Sequence, residues 1–359
     1  MAFTNAILAT AAAVTFLLLL LFSSPPPSFA FPFSSNPWTI FQNLSGCNPG
    51  DHNPLLPNLK SYFQRFGYLP SSPSNFSDFF DSDLADALLS YQRNLGLNPT
   101  GLLDPSTLSL LSSPRCGMPD TSPNSTAVAS ADDHGRHLYS YFPGTPTWPP
   151  YKRVLTYALT PVSSVNIDIE TLQPVFARAF ARWAAASTLN FTEVSPDSED
   201  IDLTVGFYNG DHGDGEPFDG VLGTLGHAFS PTDGRLHFDA AEEWVASGDV
   251  TKDGSANAVD LESVAVHEIG HLLGLGHSSL AEAVMYPAIG TRTRKVDLAR
   301  DDVDGIQKLY GENPSYQSQN SPAGRSSDEA SNGVVAMPSP LVAVLAIVGL
   351  LLWVCDLKF

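Results

Sequence analysis

Cysteine is scarce in this 359-residue chain: Cys47, Cys116 and Cys355 are the only three. Three thiols cannot make a disulfide framework, so something other than crosslinks must hold the fold. Charge is scarce too, at 16 % of residues, and basic residues (18) are outnumbered by acidic ones (38). A net charge of −20 excludes the basic footprint that nucleic acid requires and argues against docking on anionic lipid heads. An acidic, oxygen-rich chain can instead hold hard cations such as calcium. No internal repeat is visible. What is plentiful is apolar content, 43 %, enough for a sizeable core. At ~150 residues per domain the length corresponds to about two domains.

Both ends read as processing signals. Ala6 to Phe22 is uncharged and rich in Leu and Ala, and Pro25-Pro26-Pro27 and the small-x-small triplet Ser28-Phe29-Ala30 follow. Residues 1–30 are therefore expected to be a secretory signal peptide. At the other end, Leu341 to Cys355 is an apolar run followed only by Asp356-Leu357-Lys358-Phe359. A spanning helix needs ~20 residues, and a cytoplasmic flank usually carries several basic residues. With small residues at Ala330 to Gly333 upstream, residues 334–359 fit a GPI-anchor signal that is removed together with Cys355. A short transmembrane helix is the alternative. Sequons at Asn43, Asn75, Asn124 and Asn190 are glycosylation candidates, and Pro99 excludes Asn98.

Between the ends lie two units. In residues 31–138, Leu56, Leu59, Tyr62, Phe63 and Phe66 recur at helical spacing, as do Leu84, Ala87, Leu88, Tyr91 and Leu95. A third short helix starts at Asp104 or Pro105, and residues 121–138 are a polar, cleavable linker. In residues 139–312, Val154–Leu159 and Ile201–Phe207 read as strands, and Leu172–Ala186, Val259–Leu273 and Asp301–Tyr310 as helices. Residues 208–243 show little periodicity, and a long loop inside a compact domain is usually functional or metal-braced. Residues 313–333 are a Ser/Asn/Gln/Pro linker.

The strongest motif is His267-Glu268-Ile269-Gly270-His271-Leu272-Leu273-Gly274-Leu275-Gly276-His277. A helix presents residues four apart on one face, so His267 and His271 point the same way. Gly274 can break the helix where φ must be positive, and the chain then swings His277 round as a third ligand. Three imidazoles leave the fourth tetrahedral position of a zinc ion open, which is the catalytic arrangement. Glu268 is placed to act as general base on a water that zinc acidifies to a pKa of roughly 7. The HExxH core alone is expected by chance roughly 0.04 times in this length, and Gly274 and His277 cut that several-hundred-fold.

This is the signature of the metzincin peptidases, whose zinc sits above a methionine; Met285 in Val284-Met285-Tyr286-Pro287 matches it. Pro114-Arg115-Cys116-Gly117-Met118-Pro119-Asp120 resembles the cysteine switch of matrix metalloproteinases. The resemblance implies an α+β fold, a twisted, mostly parallel sheet with three helices and zinc in the cleft, preceded by a small three-helix prodomain similar to a peptidoglycan-binding bundle. It implies that the Cys116 thiolate fills the open zinc position in the latent form and that Arg115 pairs with a carboxylate. It carries a structural zinc onto His212, Asp214, His227 and His237, and calcium onto Asp219, Asp239 and Glu242 with backbone oxygens near Gly220 and Leu222. Asp202 is a further calcium candidate, although the pattern for a second calcium is broken at Thr232 to Arg235. Cys47 has no evident partner. No propeller domain is expected after Gly311, and the chain resembles the small plant-type members.

The resemblance also implies that an edge strand near Leu225 to Ala228 pairs with an extended polypeptide substrate. Ser263 closes the floor of the specificity pocket, and Ile289 stands where the wall residue is usually aromatic. A small floor residue predicts a deep pocket that takes Leu or larger apolar side chains. Cleavage by an activating protease near Tyr139 frees an amino group that is expected to pair with Asp301 or Asp302. The sequence thus reads as a secreted, monomeric zymogen of a zinc endopeptidase, held on the outer plasma membrane by a GPI anchor or released into the extracellular matrix. The alternative is a membrane-anchored surface-binding protein on a non-catalytic metallopeptidase fold; the intact Glu268 argues against it.

Overall fold

The computed structural model describes residues 36–72, 75–121, 131–132, 135–136 and 139–316. The leader, the apolar tail with Cys355, Asn124 and most of both polar linkers lie outside them. Among the described residues no helix is long and apolar enough to cross a membrane.

The first unit is built on three α-helices, α1 (Leu56–Arg65), α2 (Ser82–Asn94) and α3 (Pro105–Leu111). Asp81 and Asp104 cap α2 and α3, accepting the Leu84 and Thr107 N–H groups at 3.0 and 2.9 Å. A 3₁₀ helix, Pro37–Leu44, precedes them and was not expected from the sequence. It carries Trp38 and Phe41 edge-on against Tyr62, in a core with Phe63, Phe66 and Tyr91. The Gln92 amide, fully buried, is satisfied by Thr107, the Leu102 carbonyl and the Gly101 N–H.

The second unit is a sheet with helices. Its strands are β1 (Arg115–Cys116), β2 (Tyr139–Tyr141), β3 (Val154–Leu159), β4 (Asn190–Glu193), β5 (Leu203–Tyr208), β6 (Thr224–Ala228), β7 (Arg235–Asp239) and β8 (Leu275–Ser278). Six of them form one sheet in the order β1-β6-β7-β5-β3-β4, parallel throughout except for the antiparallel pair β6–β7. β2 and β8 make a separate antiparallel pair. The helices are α4 (Ile169–Ala186), α5 (Leu261–Leu272) and α6 (Arg300–Tyr310).

Several boundaries differ from expectation for local reasons. Asp168 caps α4 through the Thr171 N–H at 2.7 Å, so the helix starts three residues before the expected Leu172. Val259 and Asp260 pair with Trp244 and Val245 as a short strand, and the Asp260 side chain then caps α5. The stretch 208–243 holds two strands, β6 and β7. Their pattern is masked because His227 and His237 occupy buried positions that an ordinary strand fills with apolar residues.

Every side chain of α5 is buried, as expected for a helix that is largely apolar all round. It packs on α4 through Trp183, whose indole N–H donates to the Val266 carbonyl at 2.8 Å. Met285 lies against Gly270 beside Trp183. A Cβ at residue 270 would run into the Met285 sulfur and approach the Trp183 ring to 3.0 Å. Gly270→Ala is therefore expected to overpack this contact and cost about 1–3 kcal/mol, read as a lower midpoint in denaturant unfolding with unchanged slope.

Candidate active site and metal centres

Helix α5 and the turn after it assemble the first centre. Gly274 ends the helix at φ +99°, and a side chain there would meet the Pro146 carbonyl. The chain enters β8 and brings His277 back beside the helix. The His271 Nε2 lies 3.1 Å from the Nε2 of His267 and 3.2 Å from that of His277. The Cys116 Sγ stands 3.4 Å from the same nitrogen, and the four residues form one buried donor set. The far ring nitrogens are committed: His267 Nδ1 donates to the Val284 carbonyl and His271 Nδ1 to that of Leu275, each at 2.7 Å. The His277 Nδ1 is 2.8 Å from Asp120 Oδ1. Orientation of this kind leaves the Nε2 atoms as lone pairs facing one another, an arrangement that needs a cation between them. Tetrahedral zinc places nitrogens roughly 3.3 Å apart, so the residues fit that ion.

Electrostatics agree with the fit. Burial, reinforced by the neighbouring imidazoles, drives His267 and His271 well below the ordinary histidine range, so both are neutral, as ligation demands. Burial and the nearby Glu268 carboxyl push the Cys116 thiol well up, so a thiolate is stable there only with a cation. Glu268 is fully buried, neither carboxyl oxygen makes a hydrogen bond, and burial raises it to about 8.

The second set also converges. The Asp214 Oδ2 lies 2.8 Å from His212 Nε2, His227 Nε2 and His237 Nδ1. His227 and His237 stand opposite each other in register on β6 and β7, and the loop before β6 delivers the other two. Burial opposes ionisation of Asp214, but the Glu216 N–H and the imidazoles hold it below the usual carboxylate range.

The segment that carries Cys116 lies between two walls. Arg115 N–H donates to the Gly223 carbonyl and Gly117 N–H to that of Gly226, both at 2.8 Å, along the β6 edge. On the other side Cys116 N–H donates to Pro287 and Ile289 N–H to Pro114. The edge expected to receive substrate is thus occupied, in parallel, by the chain itself.

Residues 147–311 match the Matrixin family, and residues 52–111 match a peptidoglycan binding domain. The chain is 47 % identical to Metalloendoproteinase 2-MMP of Arabidopsis thaliana over 88 % of its length and 89 % of the relative's. It is 49 % identical to Metalloendoproteinase 1 of Glycine max over 74 % of its length and 85 % of the relative's. It is 37 % identical to Matrilysin of Rattus norvegicus over 70 % of its length and 84 % of the relative's. The chain belongs to the matrixin family. It is a metalloendopeptidase, with a helical prodomain ahead of an α+β catalytic unit, and the family implies zinc.

Within this matrixin, two groups do what the sequence did not disclose. Asp120, nearly buried, bridges Arg115 and His277. Burial works to raise its carboxyl, yet the Arg115 guanidinium and His277 hold it well below the carboxylate range. Arg115 also lies over the Phe66 ring at 3.8 Å and donates to the Tyr62 hydroxyl at 3.2 Å, tying the switch to the prodomain core. The spacing of Arg115 and Asp120 in one motif was the available signal. Asp302 is fully buried and accepts the Val284 and Met285 N–H groups at 2.8 and 3.0 Å, which fixes the methionine turn. It is therefore not placed to receive a new amino terminus. Asp301, which accepts the Ser278 hydroxyl at 2.6 Å, lies closer to the Tyr139 segment through the β2–β8 pair.

The pocket residues come together beside the zinc set. Ser263 and Ile289 line one cavity with Val264, Leu225 and Lys295. The Ser263 hydroxyl is committed, donating to Asp260 at 2.5 Å and accepting the Lys295 N–H at 2.8 Å.

The calcium expectations fare unevenly. The Asp202 carboxylate meets protein partners. One carboxylate oxygen pairs with the Lys152 ammonium and the other accepts the Thr156 N–H and hydroxyl, so the side chain is consumed by its own neighbours. Asp219, Asp239 and Glu242 do gather around one loop, but less tightly than the two histidine sets. The N–H groups of Gly220 and Leu222, where carbonyls were expected, meet Asp239 and Glu242 at 3.1 and 2.9 Å. One oxygen each of Asp219 and Glu242 is buried without a partner. Burial, aided by mutual repulsion, pushes Asp239 up to about 6 and Glu242 to about 9. With folded pKa values raised above the ordinary ~4, their stabilising contribution is complete below that pH and is lost as pH rises through about 6 and about 9. Calcium-depleted protein should therefore melt at progressively lower temperature from pH 5 to pH 9, and added calcium should flatten the curve. Calorimetry checks this; a midpoint indifferent to both would remove the cation from this loop.

Proposed function

We propose that this matrixin is the latent precursor of a secreted zinc endopeptidase that cleaves extracellular or cell-surface proteins. The observation that carries the reading is Cys116 closing the fourth side of a three-histidine set, beside a buried Glu268 with no hydrogen-bond partner. His267, His271 and His277 would hold the catalytic zinc, and Cys116 would be its fourth ligand in the latent form. The ion, when bound, supplies Lewis acidity for the scissile carbonyl and makes a water acidic enough to ionise near neutrality. Glu268 takes the proton of the attacking water on its carboxylate and delivers it to the leaving amine. Its buried position excludes bulk water, which keeps its basicity high at neutral pH. With the prodomain gone, the β6 edge and the Pro287–Ile289 segment are open to an extended substrate, and the cavity at Ser263 takes its P1′ side chain.

His212, Asp214, His227 and His237 would hold a structural zinc, and Asp219, Asp239 and Glu242 a calcium. Both brace a stretch that lacks disulfides. The secretory reading of residues 1–30 and the GPI-anchor reading of residues 334–359 support an enzyme outside the cell, on the plasma membrane or released from it, and we read it as a monomer. Freed at Tyr139, the new ammonium pairs with Asp301 and locks β2 against α6.

Hydrolysis of a quenched peptide with Leu at P1′, by the secreted chain before and after an organomercurial or limited proteolysis, tests the reading. Latency should give way to activity that a chelator abolishes, and Glu268→Ala should lower kcat by about 10²–10⁴-fold. A processed, zinc-loaded enzyme with no activity would favour the non-catalytic binding protein. Asp301→Asn should lower kcat/KM several-fold in the form that starts at Tyr139, while a form with extra residues before Tyr139 is indifferent to it.

A further inference from the structure

Strand β4 is the outer strand of the six-stranded sheet, at the end opposite the cleft. Asn190 and Thr192 on it are exposed, whereas Phe191 turns inward onto Phe180 with ring centroids 4.9 Å apart. The sequon Asn190-Phe191-Thr192 therefore presents both of its polar members to solvent. Paired positions on adjacent strands share a face, and the residue paired with Asn190 is Val154 of β3. Val154 is 51 % exposed, and Tyr151, three residues before it, is 87 % exposed. Three residues span at most roughly 10 Å. These are two of five large apolar side chains exposed among the described residues, and both lie at this corner.

We propose that Asn190 carries an N-linked oligosaccharide whose first sugars cover Val154 and Tyr151 and cap the free edge of the sheet. The proposal rests on the secretory reading of residues 1–30. The donor is an oligosaccharide linked through N-acetylglucosamine to a lipid diphosphate. The Asn190 amide nitrogen bonds to the anomeric carbon, the bond from that carbon to the diphosphate oxygen breaks, and the amide proton leaves with the lipid diphosphate. No group is oxidised or reduced. Asn43 and Asn75 are exposed as well, but both lie in the prodomain; Asn190 is the one sequon within residues 139–312. An edge strand that is uncovered among the described residues is a template for pairing with another chain, and Val154 and Tyr151 would add apolar contact to it. A glycan here blocks that pairing without hindering substrate, because β4 stands five strand spacings, roughly 24 Å, from β1 in the cleft.

The full chain secreted from a eukaryotic host would be digested and the Asn190 peptide weighed before and after peptide N-glycosidase in heavy-oxygen water. A glycan on most molecules is expected, lost in Thr192→Ala and kept in Thr192→Ser. Thr192→Ala should raise self-association several-fold by light scattering and leave peptide hydrolysis per active site unchanged. A secreted chain with unmodified Asn190 overturns the proposal. So does a glycan whose loss leaves self-association at the wild-type level. A chain retained in the cell with residues 1–30 attached overturns the secretory reading, and this proposal with it.

Discussion

Burying a charged or lone-pair-bearing group without a counter-charge costs several kcal/mol even after relaxation, and this constraint governs the catalytic unit. Three imidazoles aim their lone pairs at one another, a thiol sits beside a buried carboxyl, and three more carboxylates crowd a loop. Without a cation each arrangement is strained, and the loop carboxyls keep their protons up to about 6 and about 9. Each becomes favourable when a cation is present. Cations bound at these places would offset that cost in a chain whose described cysteines, Cys47 and Cys116, are both free.

The same constraint bears on the latency proposed above, which would then be a matter of position more than of one bond. Cys116 reaches the histidine set because its flanking peptide groups are hydrogen-bonded to β6 on one side and to Pro287 and Ile289 on the other. Arg115 and Asp120 then tie that segment to His277 and to the aromatic core of the prodomain. Tyr286 strengthens the link, since it is buried among the prodomain side chains and donates its hydroxyl proton to the Leu95 carbonyl at 3.2 Å. If this segment is the latency device proposed above, displacing the thiol or cutting the chain after it would release it.

Legibility followed the range of the interactions. Helices α1, α2, α4 and α6 were readable because apolar residues at 3.6-residue spacing report directly on the buried face. Capping moved the ends by a few residues at most. β6 and β7 were not readable from periodicity: they are short, and buried positions carry His227 and His237 where a strand normally carries Val or Ile, so that only the family resemblance pointed to an edge strand near Leu225 to Ala228. The 3₁₀ helix at Pro37 likewise has too few residues for a period to show.

By itself the sequence determined the composition of the centres. His267, His271, Gly274 and His277 lie within one turn and a half of helix and its exit, so local geometry alone brings them together, and the motif around Cys116 identified its partner. Tertiary structure decided which carboxylates belong where. Asp120 lies against His277, Asp302 holds the methionine turn while Asp301 remains near Tyr139, and Asp202 meets Lys152 and Thr156. All of these are carboxylates with the same chemistry, and apart from the motif that joins Asp120 to Arg115 their neighbours in sequence do not distinguish them. Their roles follow from which backbone groups and cations the folded chain carries past them, and contacts across dozens of residues leave no periodic trace in the chain.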